Sequence, residues 1–126
     1  MSKKIVNSAD APAPIGPYNQ AVRTGDLLFI SGQIPLVAGT DELIQSGISD
    51  ETHQVMKNLS AILKEAGADF SNVIKTTIFL SSMDYFAEVN TVYGQYFNGE
   101  YPARETVAVK GLPKNVNVEI SMIAAL

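Results

Sequence analysis

Apolar residues along this chain change their spacing in a definite order. They fall first at alternate positions, then at every third or fourth, then in a solid β-branched block, then at every third or fourth again, and finally at alternate positions. A spacing of two marks one face of a strand, and a spacing near 3.6 marks one stripe of a helix. The order therefore reads hairpin, helix, strand, helix, hairpin, which predicts an α+β domain with both helices on one face of a sheet. One layer of helices cannot cover two sides, so the opposite face must meet solvent or other copies of the chain.

Asn19 to Thr24 and Leu27 to Ser31 are the first predicted strands, joined at the Gly25-Asp26 turn. Gly32, just beyond, leaves backbone uncovered, as a turn, a bulge or a closely approaching ligand would require. Pro35 to Gly47 has no period and reads as a surface loop. Ser49 is the predicted cap of a helix that carries Asp50 and Glu51 in its first turn, buries Val55, Leu59, Ile62, Leu63 and Ala66, and stops at Gly67. Val73 to Leu80 is a predicted strand. Ser81-Ser82 then caps a second helix whose buried stripe is Phe86, Val89, Tyr93 and Phe97, ending at Asn98-Gly99. Asn90 falls with that stripe, where an amide needs a backbone or ligand partner.

A length of 126 residues fits one domain, 1–126. No apolar run approaches the ~20 residues that span a bilayer, and the amino terminus has two lysines without an apolar block or cleavage site, so a soluble, cytoplasmic protein is expected. With no cysteine there is no disulfide, thiolate metal site or cysteine nucleophile. His53 is the only histidine. It lies off the helical stripe as a solvated residue, which makes zinc sites and Ser-His-Asp triads implausible. A net charge of −4 argues against a broad nucleic-acid surface. Phosphate-loop and hydrolase-elbow motifs are missing, so any chemistry must use simple side chains.

Those side chains concentrate near the carboxyl end. Arg104 to Val109 and Val116 to Ile123 alternate with period two across the loop Lys110 to Asn115, which reads as a hairpin. In symmetric register Val107 opposes Val118, Thr106 opposes Glu119 and Arg104 opposes Ser121. One face would then carry Val107, Val109, Val116, Val118, Ile120 and Met122, and the other Arg104, Thr106, Asn117, Glu119 and Ser121. Arg104 and Glu119 would be diagonal neighbours, roughly 7–8 Å apart at the backbone. Arginine offers a planar fork suited to two-point capture of a carboxylate or phosphate, and a nearby carboxylate could orient water. The plainer reading is a surface ion pair.

Gly16-Pro17-Tyr18 with Gln20-Ala21, Ser31-Gly32-Gln33-Ile34-Pro35, Thr52 to Val55 with Lys57-Asn58-Leu59, Lys75-Thr76-Thr77, Val89-Asn90 with Tyr93, Tyr101-Pro102-Ala103-Arg104, and Leu112-Pro113 through Val118-Glu119-Ile120 closely resemble, in order and spacing, the RidA (YjgF-type) family of reactive-intermediate deaminases. The resemblance spans nearly the whole chain. It implies a chorismate-mutase-like subunit with a mixed sheet, a homotrimer with clefts between subunits, and hydrolysis of 2-imino acids to 2-oxo acids and ammonia without metal or cofactor. It further implies that Arg104 holds the substrate carboxylate, that Glu119 positions water, and that Tyr18, Ser31, Gly32, Asn90 and Thr106 line the cleft. The alternative is a non-enzymatic sensor that binds a carboxylate metabolite in the same cleft; neither nucleic acid nor membrane is an expected partner. Glu105 and Thr106 stand where many members have a small hydroxyl residue and a cysteine. Glu105 is expected to point away from Arg104, yet close enough to compete for the guanidinium.

Overall fold

The computed structural model describes residues 2–126 and opens with a strand that periodicity does not announce. This strand, β1 (Lys4–Val6), pairs antiparallel with β2 (Ala21–Thr24), which turns at Gly25 into β3 (Leu27–Gln33). Gly25 takes φ 57°, left-handed backbone that glycine adopts without strain. The loop after β3 leads to α1 (Ile48–Glu65), β4 (Val73–Leu80), α2 (Phe86–Gly94), β5 (Ala103–Ala108) and β6 (Val118–Ala125). Together the strands form one mixed sheet in the order β1-β2-β3-β6-β4-β5.

Both helices lie on one face. From α1, Val55, Met56, Leu59, Ile62 and Leu63 are wholly buried, and they join Leu28, Ile78, Leu80, Val118 and Ile120 of the sheet in a single core. Burying a side chain of that size contributes roughly 1.5–3 kcal/mol each. From α2, Val89 and Tyr93 complete the cluster. The opposite face has no helix, and Leu27, Phe29 and Val107 stand more than a third exposed there.

The expected carboxyl-terminal hairpin does not form. Instead β5 pairs parallel with β4, with Thr76 level with Arg104 and Ile78 with Thr106. β6 runs antiparallel to β4 on one side and to β3 on the other, with Phe79 level with Glu119. The segment from β4 through α2 to β5 is thus a β-α-β unit, since parallel neighbours need a crossover and α2 supplies it. The connection from β5 then passes beyond β4 through a turn at Pro113–Asn115 in which Lys114 and Asn115 take positive φ. β6 alternates fully buried and partly buried residues and occupies the middle of the sheet, whereas β5, more exposed throughout, forms an edge.

Face assignments follow from this pairing. Those of β6 hold: Val118, Ile120 and Met122 are buried against the helices. Those of β5 are reversed, so Arg104 and Thr106 share the helix side with Thr76 and Ile78, and Val107 turns to the bare face. Three smaller expectations also change. Gly47, not Ser49, is the N-cap of α1, and the Ser49 hydroxyl instead donates to Glu88 at 2.6 Å. Ser82 caps a short 3₁₀ turn ahead of α2. Phe86 is exposed, and Val92 is the buried residue the stripe omitted.

Candidate functional site

Arg104 enters β5 just after Pro102, and its side chain runs back over α2. Its guanidinium carbon sits 5.1 Å from the centre of the Tyr93 ring and 5.7 Å from that of Phe86, within cation–π range of both. Tyr93 is itself pinned, because its buried hydroxyl donates to Thr76 Oγ1 at 2.9 Å. Burial pushes the Tyr93 hydroxyl pKa above its ordinary value, so it stays protonated and keeps donating. Arg104 forms no ion pair among the described residues. Aromatic faces therefore orient the fork and leave its N–H edge open. Beside it lies a cavity of about 260 Å³ walled by Asn90, Tyr93, Gly94, Tyr101 and Pro102.

Glu105 does not compete for that guanidinium. It points to the bare face, where it accepts from Thr77 Oγ1 at 2.9 Å and pairs with Lys75 at 3.3 Å. Those contacts hold its carboxyl below the usual carboxylate range, the Thr77 hydrogen bond being the largest cause.

Glu119 projects from β6 on the bare face. Half-buried and with no ion-pair partner among the described residues, its carboxyl is raised above the usual glutamate value by desolvation. Gly32 is what makes room for it. A Cβ on that glycine would lie 2.8 Å from Glu119 Cδ and overlap its carboxylate. Gly32 sits at the irregularity between Ile30 and Gln33 in the β3–β6 pairing, so the strand locally gives way where the carboxylate packs. Tyr18, Ser31, Ile15 and Pro113 complete a second cavity around this pair.

Two buried amides hold that second cavity in shape, and periodicity pointed to neither. Gln20 accepts from Ser8 N–H at 2.6 Å and donates to Ser8 O at 3.0 Å and Pro12 O at 2.9 Å, which fastens the segment leading to Ile15 and Tyr18. Asn58, on α1, donates to Ile34 O at 3.1 Å and Leu36 O at 2.9 Å and fixes the exit of β3. Both appear in the motifs that carry the family resemblance, the one signal that could have found them. The Ser31 hydroxyl donates to Asn19 O at 2.7 Å.

The expected site residues thus fall into two groups on opposite sides of the sheet. Arg104 and Asn90 share one cavity; Tyr18, Ser31, Gly32 and Glu119 share the other. Thr106 lines neither, and its Oγ1 is buried without a hydrogen-bond partner. One chain does not bring Arg104 and Glu119 onto a common surface, because β4 runs between their strands and their side chains leave opposite faces. His53 is not a free solvated residue: its Nδ1 lies 2.7 Å from the Tyr96 hydroxyl. No group of three or more histidine or acidic residues able to hold a metal occurs among the described residues.

Fold and cavities define a small α+β protein with a guanidinium and a carboxylate each presented in an open, mainly apolar cavity. The family model described as Endoribonuclease L-PSP matches residues 8–126. The chain belongs to this family, that of the RidA/YjgF proteins. A Lactococcus lactis protein named as a regulator, AldR, is 52% identical over 121 residues, 96% of each chain. The mouse 2-iminobutanoate/2-iminopropanoate deaminase is 45% identical over 122 residues, covering 97% of this chain and 90% of that one. The crystal structure of Escherichia coli TdcF with bound serine is similar at a TM-score of 0.93, with 39% identity and 98% of each chain covered.

Proposed function

We propose that this protein hydrolyses 2-imino acids to 2-oxo acids and ammonia, at a site assembled from the Arg104 cavity of one chain and the Glu119 cavity of another in a homotrimer. The observation that carries the reading is the pairing of an arginine fork without an ion partner and a desolvated, unpaired carboxylate, each in its own half-cavity. Names among the relatives support the reaction, and serine bound to TdcF is an α-carboxylate ligand.

Arg104 holds the substrate carboxylate through two parallel N–H bonds and so fixes the imine carbon. Glu119 accepts a proton from water as the water oxygen bonds to that carbon. From the protonated imine this gives a carbinolamine; Glu119 returns the proton to its nitrogen and then takes the hydroxyl proton as the carbonyl forms and the C–N bond breaks, so ammonia leaves the 2-oxo acid behind. A carboxyl raised by burial suits the task, because a general base works best with a pKa nearer the working pH. The relative named as a regulator favours a second reading, in which the same cleft senses a carboxylate metabolite. RNA cleavage is a poorer match to a chain of net charge −4 whose sole histidine is engaged with Tyr96.

The test is ammonia release with an amino-acid dehydratase generating 2-iminobutanoate in situ, run on wild type and Glu119→Gln. Glutamine keeps the shape and removes the base, so turnover should fall roughly a hundredfold or more while a 2-oxo acid still binds. A sensor would show no turnover in either protein. Wild-type turnover in the glutamine variant would eliminate the role given to Glu119.

A further inference from the structure

Gly94 is the last residue of α2 and part of the wall of the Arg104 cavity. Glycine is the least favourable helix residue after proline, so one standing there needs a cause. The ordinary causes are missing. Its backbone is not left-handed, and the left-handed exit from this segment is made by Gly99, at φ 98°. Beyond it the chain continues in right-handed turns, with Gln95 N–H bonded to Val92 O at 3.1 Å and Tyr96 N–H to Tyr93 O at 3.2 Å. Nor does crowding exclude a side chain, since nothing lies within 4 Å of a Cβ built at this position. What a side chain at Gly94 would occupy is the open space beside Asn90, one helical turn earlier on the same face.

We propose that Gly94 determines which substrates this site accepts, by leaving space for a bulky apolar side chain on the 2-imino acid. The inference rests on the deaminase reading above. With the carboxylate held at Arg104, the substrate side chain is directed along the apolar walls given by Tyr93, Tyr101 and Pro102, and the gap at Gly94 admits branched aliphatic or aromatic groups. Methyl or ethyl groups leave that gap unused.

The test compares wild type with Gly94→Ala and Gly94→Leu on imines made in situ by an amino-acid oxidase from alanine, leucine and phenylalanine. The readout is the ratio of kcat/KM for each bulky imine to that for the alanine-derived one. It should fall in the order glycine, alanine, leucine, by about tenfold or more in the leucine variant, while Gly94→Ala melts no lower than wild type because alanine is the better helix former. An unchanged ratio, or an equal loss on all three imines, would overturn the proposal. So would native mass spectra in which Gly94→Leu no longer assembles as wild type does, since Gly94 would then serve chain packing. Should wild type hydrolyse none of the imines, the deaminase reading fails. The size limit is then read from affinities for pyruvate, 4-methyl-2-oxopentanoate and phenylpyruvate, where the same graded loss supports it and its absence overturns it.

Discussion

A guanidinium stacked on aromatic rings is oriented without being neutralised, and that separates Arg104 from a surface arginine in an ion pair. Tyr93 supplies the platform, and Thr76 holds Tyr93 by a buried hydrogen bond. Arg104, Glu119 and Gly32 stand out in the sequence as candidates, by residue chemistry and by the family resemblance. Their mutual placement was not, since it depends on which strands pair. Gly32 offers the cleanest test at this scale. Its φ is not in the left-handed range, so alanine is compatible with the backbone, but the added methyl must displace the Glu119 carboxylate. Gly32→Ala should therefore keep the fold, with Tm within a few degrees of wild type, and lose roughly a hundredfold in activity, as loss of the base itself would. Full activity would show that Glu119 need not sit against that glycine.

At the scale of elements, spacing identified both helices and β4 to within a few residues, because long apolar stripes and β-branched runs have few alternative readings. It failed for β5 and β6. Two alternating segments joined by a short polar loop are the signature of a hairpin, and only the placement of β6 between β3 and β4 decides otherwise. Covering the apolar side of β6 with both neighbours and α1 buries more than an edge position could, a tertiary preference that no local pattern contains. β1 escaped notice for a related reason: three residues are too few to show a period.

The start of α1 also contains a buried acid. Glu51 is only 5% exposed and accepts from Asn117 Nδ2, which ties the helix to the start of β6. Desolvation raises its carboxyl above the usual glutamate value, outweighing the Asn117 hydrogen bonds. The native state thus holds this proton to a higher pH than the unfolded chain does. Stability from the group is fully present below the unfolded value and is lost as pH rises through the native one. Glu51→Gln should remove that part of the pH slope and equal or exceed wild-type stability at neutral pH. Denaturant melts between pH 4 and 8 would show it; an unchanged slope would mean that Glu51 does not titrate differently on folding.

For the whole molecule, the bare sheet face is the feature that calls for a partner. Phe29 at 43% exposure and Val107 at 44% are costly to leave in water, and in the proposed assembly a second copy would cover them and join two half-cavities. Subunit complementation tests the central claim most directly. Arg104→Lys and Glu119→Gln proteins are each expected to be nearly inactive. When co-expressed, random homotrimers should contain intact clefts in which one chain supplies Arg104 and its neighbour supplies Glu119, and about a quarter of wild-type activity should return. Native mass spectrometry on the same samples should show three chains. Mixed trimers that form but stay as inactive as either parent would contradict a site shared between chains.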